Sequence, residues 1–179
     1  MLWVLGALAA SLAMLKFELP PLARPAPAVP ADRSMTADQL STLFASYGNT
    51  SGRWSGADRT ASVALPDGRL LWLFSDTFLG EVGPDHSRPR DSPFINNSAV
   101  LQRGRQLERT VHGGTPEQPT SLVPTGVAGE FYWAGDATVD GGTVRAVYNR
   151  YRRTGSGGLD FALLGSALAT FGLPGLELT

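Results

Sequence analysis

An internal repeat sets the tightest limit on the fold. Trp54-Ser55-Gly56-Ala57-Asp58 recurs as Tyr132-Trp133-Ala134-Gly135-Asp136, running from aromatic to aspartate at the same spacing. Each copy leads into a strand-like run, then a turn at Asp67-Gly68 or Gly141-Gly142. A second strand rich in aromatics follows, Leu70 to Asp76 or Val144 to Arg150. A repeat made of strands cannot cover both faces of its own sheet, so copies must stack on one another. Radial stacking of such sheets makes a β-propeller. The expected fold is therefore all-β, a partial β-propeller of about two blades. Chance likeness between two hairpins of a β-sandwich is the competing reading.

The rest of the chain is compatible with this. High Gly and Pro counts, 21 and 13, supply the many turns that short-stranded folds need. Once the first thirty or so residues are set aside, roughly 150 remain, enough to bury about two-thirds of their unfolded surface. The net charge is −1 and the arginines are scattered, so no basic face exists for nucleic acid. With no cysteine, disulfides, thiolate zinc sites and a cysteine nucleophile are excluded, and export is permitted.

The first segment reads as separate from the fold. Leu2 to Leu15 is a nearly unbroken apolar run ended by Lys16, too short to cross a hydrocarbon core ~30 Å thick. It matches the apolar region of a secretory signal peptide, with Ala26-Pro27-Ala28 as a cleavage site. No basic residue precedes the run, so either the start lies upstream or the segment is an uncleaved anchor. Pro20, Pro21, Pro25, Pro27 and Pro30 then make a stiff, extended spacer. The expected organisation is a signal helix and spacer over 1–31 and an incomplete propeller over 32–179. The expected location is secreted, with no membrane contact after cleavage.

One short helix precedes the first blade. Thr36 and Gln39 have capping-box spacing, Leu40, Leu43, Phe44 and Tyr47 recur with helical period, and Gly48 supplies the stop. Strands are expected over Thr60 to Leu65, Arg69 to Phe78, Ser98 to Gln102 and Gln106 to Val111. Three more follow, over Gly129 to Val139, Thr143 to Arg152 and Leu159 to Phe171. Alternation along the second strand places Trp72, Phe74 and Asp76 on one face.

Several of these segments carry a resemblance. Gly56-Ala57-Asp58, Leu65 to Arg69, Leu73 to Phe78 and Asn96-Asn97-Ser98 resemble actinobacterial secreted proteins of an uncharacterised five-bladed β-propeller group. That group is related to glycoside hydrolases, and a neighbouring branch includes endo-D-arabinanases. The resemblance implies a five-bladed whole of which this chain holds the front part, so the missing blades are an expected partner. It also implies carboxylates at the mouth of a central funnel, with Asp58 and Asp76 leading and Asp136 one blade around.

Glycoside hydrolysis needs one ionised carboxylate and one protonated carboxyl group. Asp76, beside Trp72 and Phe74, is the expected acid, because an apolar setting favours the protonated form, and Asp58 is the base or nucleophile. Trp54 and Trp133 are candidate stacking platforms, and Asn96, Asn97, Arg59 and Arg150 candidate contacts to substrate, Arg150 also a partner for a funnel carboxylate. The turn residue Asp67 is structural. His86 and His112 are isolated, and Glu81, Asp85 and Asp91 fit no calcium loop, so neither a metal nor another cofactor is expected. The expected activity is a glycoside hydrolase-like action on a polysaccharide or oligosaccharide. The alternatives are a non-catalytic carbohydrate-binding propeller and a cell-surface structural module.

Overall fold

Helix formation starts where the capping box predicts. The structure, a computed structural model, describes residues 35–48 and 52–179; the expected signal segment and spacer lie outside them. Helix α1 (Ala37–Tyr47) opens at Thr36, whose hydroxyl accepts from Gln39 N while the Gln39 side chain accepts from Thr36 N. These bonds satisfy two of the free N–H groups of the first turn. Gly48 ends the helix in a right-handed conformation, its N–H bonded to Phe44 O.

Strands β1 (Trp54–Ala57) and β2 (Thr60–Ala64) form one arm of a hairpin, β3 (Arg69–Phe74) and β4 (Thr77–Leu79) the other. The turn between the arms needs Gly68, which sits at φ 81 and donates to Leu65 O. Both arms break at the same level, Asp58-Arg59 facing Ser75-Asp76. Then come β5 (Phe94–Ile95), β6 (Ser98–Arg103), β7 (Gln106–Val111) and the short pair β8 (Gly113–Gly114) and β9 (Pro119–Thr120). The last section holds β10 (Glu130–Asp140), β11 (Thr143–Arg153), β12 (Phe161–Gly172) and β13 (Glu177–Leu178).

Two antiparallel four-stranded sheets dominate, ordered β2-β3-β6-β7 and β10-β11-β12-β13. In both, the strands lie side by side in chain order, the up-and-down order of a propeller blade, although β4 and β5 intervene between β3 and β6 in the first. The chain is all-β apart from α1, and its sheets form an open, partial propeller. The repeat is structural as well. The kinked arm β1–β2 corresponds to β10, which carries its own register break between Ala134 and Ala137, around Gly135-Asp136.

The two sheets pack face to face. Leu71, Leu73, Ala99 and Leu101 of the first sheet meet Val144, Ala146, Tyr148 and Phe171 of the second in one buried cluster. The other face of the first sheet is covered by α1, where Phe44 lies edge-on to Trp54, Trp72 and Phe74 at 4.9, 5.6 and 5.9 Å. The far face of the second sheet stays open, with Val147, Leu163 and Leu168 exposed by 42%, 60% and 60%. Those exposures fit a face that another sheet would cover, since a monomer rarely leaves such a patch bare.

Candidate functional site

The double break in the first hairpin is where Asp58 and Asp76 face each other. Asp58 N donates to Asp76 O at 2.9 Å and Ser75 N donates to Asp58 O at 3.0 Å, so Asp58 stands opposite the pair Ser75-Asp76. Residues opposite one another on paired strands have Cβ atoms about 4.5–5.5 Å apart. The pairs Ala57↔Thr77 and Thr60↔Phe74 on either side keep one register, so both arms lose their regular pairing here without an inserted residue. Arg59 takes φ 44, a conformation costly for a residue with a side chain, and so marks local strain at the same level.

Asp76 is held from two directions. Its Oδ1 accepts from Asn96 Nδ2 at 2.9 Å and from Trp133 Nε1 at 2.7 Å. Asn96 is fixed in turn, its backbone N–H donating to Ser121 Oγ at 3.1 Å. Trp133 lies in β10, so its bond to Asp76 ties the second sheet to the kink of the first. The indole is wedged among Phe131, Tyr151 and Phe161, with ring centroids 5.3, 4.6 and 4.8 Å away. Two donors on Oδ1 fix the plane of the carboxylate and leave Oδ2 without a hydrogen bond among the described residues.

Several expectations are corrected by these contacts. The apolar setting expected for Asp76 is absent. β3 ends at Phe74, and Trp72 and Phe74 turn to the helix, whereas the Asp76 carboxylate meets N–H donors. Trp54 packs against Phe44 and Phe74 beneath α1, so its ring serves the packing of the helix rather than a sugar. Asn97 is fully buried. Its amide donates to Val123 O and Tyr132 O at 3.0 and 2.9 Å and its carbonyl accepts from Val123 N at 2.7 Å, which stitches a loop to both sheets. Such a group has no reach to substrate.

Arg150 pairs with no funnel carboxylate. Its Nη2 lies 2.5 Å from Glu130 Oε2, and Arg152 Nη2 lies 2.6 Å from Glu130 Oε1. Glu130, whose side chain is 2% exposed, went unread in the sequence. The register Glu130↔Arg152 and Tyr132↔Arg150 that brings the three together follows only from strand pairing. The Arg152 hydrogen bond, with help from Arg150, holds the Glu130 carboxyl below its ordinary range. Asp136 is exposed at the β10 bulge and its Oδ1 accepts from Ala137 N at 2.8 Å, a local cap. Arg59 is exposed beside Asp58 and makes no side-chain hydrogen bond among the described residues. Of the residues singled out by sequence, the structure gathers Asp58, Asp76, Asn96 and Trp133 into one place, with Arg59 at its edge. No cluster of three or more His, Asp or Glu side chains suited to a metal occurs among the described residues.

Residues 41–179 match a family described as a domain of unknown function (DUF5005). A crystal structure from Bacteroides ovatus ATCC 8483, of a protein provisionally described as a hydrolase, shares the fold with TM-score 0.63 and 24% identity. The match covers 78% of this chain and 41% of that one, so the chain spans about two-fifths of the length of that protein. No curated protein matches the chain.

Proposed function

The chain belongs to the DUF5005 family, and on that premise we propose that it is the front part of an exported glycoside hydrolase-like propeller that cleaves a polysaccharide with Asp58 and Asp76. The observation that carries the reading is the kinked hairpin. It sets two aspartates opposite each other, with one held by Asn96 and Trp133 and an oxygen left free. Cβ atoms of residues directly opposite on paired strands lie about 4.5–5.5 Å apart, a placement from which two aspartate side chains can reach the carboxyl separation of retaining glycosidases, about 5–5.5 Å.

A nucleophile or base must present one lone pair at a fixed angle to the anomeric carbon. Asp76, with its plane set by two donors, suits that role, and Asp58 then protonates the leaving oxygen. This reverses the order expected from the sequence, because the setting of Asp76 is polar. The hydrolase description of the similar structure supports the reaction class. The open apolar face of the second sheet supports the further blades, which would complete the walls of the site.

The test is release of reducing ends from arabinan, xylan and mixed-linkage glucan by the full polypeptide, with Asp76→Asn alongside. Release from one substrate that the variant abolishes is expected. Binding of a glycan without bond cleavage would make the protein a carbohydrate-binding module instead. Neither binding nor cleavage would leave the carboxylates as structural groups.

A further inference from the structure

The small sheet β1-β4-β5 carries a second feature on the face that bears Asp76. Thr77 pairs with Ile95 and both are buried, so they point inward. Burial alternates along both segments: Ser75, Thr77 and Leu79 are buried while Asp76 and Phe78 are not, and Ile95 is buried while Phe94 and Asn96 are not. The hydrogen bond between Asn96 and Asp76 marks one cross-strand row, and Phe78 paired with Phe94 is the adjoining row. Two residues along a strand span roughly 7 Å, close to the reach of one sugar residue in a chain.

This second row is apolar and accessible. Phe78 and Phe94 are 39% and 45% exposed, and their rings meet at 5.0 Å. Arg88, from the loop between β4 and β5, lies over Phe78 with Cζ 5.2 Å from the ring centroid. Its Nη2 donates to Ser55 O at 2.6 Å, and its Nε to Ser55 Oγ at 3.4 Å. The guanidinium fills the space that a side chain at Gly56, the register partner of Phe78, would take. A loop arginine is thus pinned over an exposed aromatic, and its Nη1 makes no hydrogen bond among the described residues. Both rings lie outside the two buried clusters.

We propose that Phe78, Phe94 and Arg88 form a further sugar-binding subsite that takes the glycan residue next to the one held at Asp58 and Asp76. The C–H face of that sugar lies against the two rings, and its hydroxyl oxygens accept from the free guanidinium N–H groups. The subsite rests on the carbohydrate reading above, and it makes the protein select chains over short fragments.

Calorimetry on the full polypeptide tests it, with mono- and hexasaccharides derived from arabinan, xylan and mixed-linkage glucan as probes. For the glycan that binds, Phe78→Ala/Phe94→Ala weakens the hexasaccharide about tenfold or more and leaves the monosaccharide within twofold. Arg88→Ala, an independent variant at an exposed position, shifts the hexasaccharide in the same direction. If the wild type binds the hexasaccharide and the double variant binds it equally, the subsite is wrong while the carbohydrate reading stands. Equal weakening of both probes also overturns the subsite. If the wild type binds none of the probes, the carbohydrate reading falls and the subsite with it.

Discussion

Replacing Trp133 by Phe removes one N–H donor from Asp76 while keeping an aromatic ring among Phe131, Tyr151 and Phe161. The lost bond is charge-assisted and 2.7 Å long, a class worth about 1.5–3 kcal/mol. Asp76 is only partly buried and keeps Asn96 as a donor, so the low end, about 1.5 kcal/mol, applies. Removal of indole atoms adds its own packing cost, so the single variant overstates the bond. A double-mutant cycle with Asp76→Ala isolates the pairwise part. In urea, with a slope of about 2 kcal/mol/M, a coupling of 1.5 kcal/mol separates observed from additive midpoints by roughly 0.7 M. A coupling under about 0.5 kcal/mol would refute the claim that Trp133 locks the carboxylate across the two sheets.

Three other predictions concern the fold around the site. The Tyr148 hydroxyl is buried with no hydrogen-bond partner among the described residues, and burial pushes its phenol well above the ordinary range. The unfolded chain ionises this group near pH ~10 while the folded one does not, so stability falls as pH rises past that point. Tyr148→Phe should be stabilising by about 1 kcal/mol at neutral pH and should lessen the alkaline loss; marked destabilisation would mean that the hydroxyl has a partner. Glu130, whose folded pKa is depressed, contributes stability above about pH 4.5 that is lost as pH falls below it. Glu130→Gln should flatten that acid limb in melts followed by circular dichroism, and an unchanged limb would count against the Arg150–Glu130–Arg152 cluster. Asn97→Ala strips three interior hydrogen bonds and should cost about 3 kcal/mol or more in chemical denaturation; a loss under 1 kcal/mol would contradict its role as a stitch.

Local chemistry made much of the fold readable. The capping box at Thr36, the Pro66-Asp67-Gly68 turn and the alternation of Leu71 and Leu73 each depend on residues a few positions apart. Their structural outcomes follow the expected pattern. The repeat was readable because both copies place an aspartate at a strand break, Asp58 and Asp136. The break at Ser75-Asp76 was not, since Leu73 to Phe78 looks like uninterrupted strand and nothing local signals a break. Nor were the partners of Asp76 and Glu130. Trp133 lies far along the chain from Asp76, and the Glu130 pairings depend on a register that only the assembled sheet sets. The packing of Arg88 on Phe78 was hidden for the same reason: a long loop folds back on a strand through Ser55.

Under the proposed function Asp58 and Asp76, brought together by one kinked hairpin, are the working pair, and Asp136 is a local cap. The most direct measurement compares kcat of the wild type with Asp58→Asn, Asp76→Asn and Asp136→Asn on the polysaccharide that the wild type cleaves. The account predicts losses of about a thousandfold or more for the first two, and less than threefold for Asp136→Asn. Full activity in either of the first two variants, or a comparable loss in the third, would contradict it.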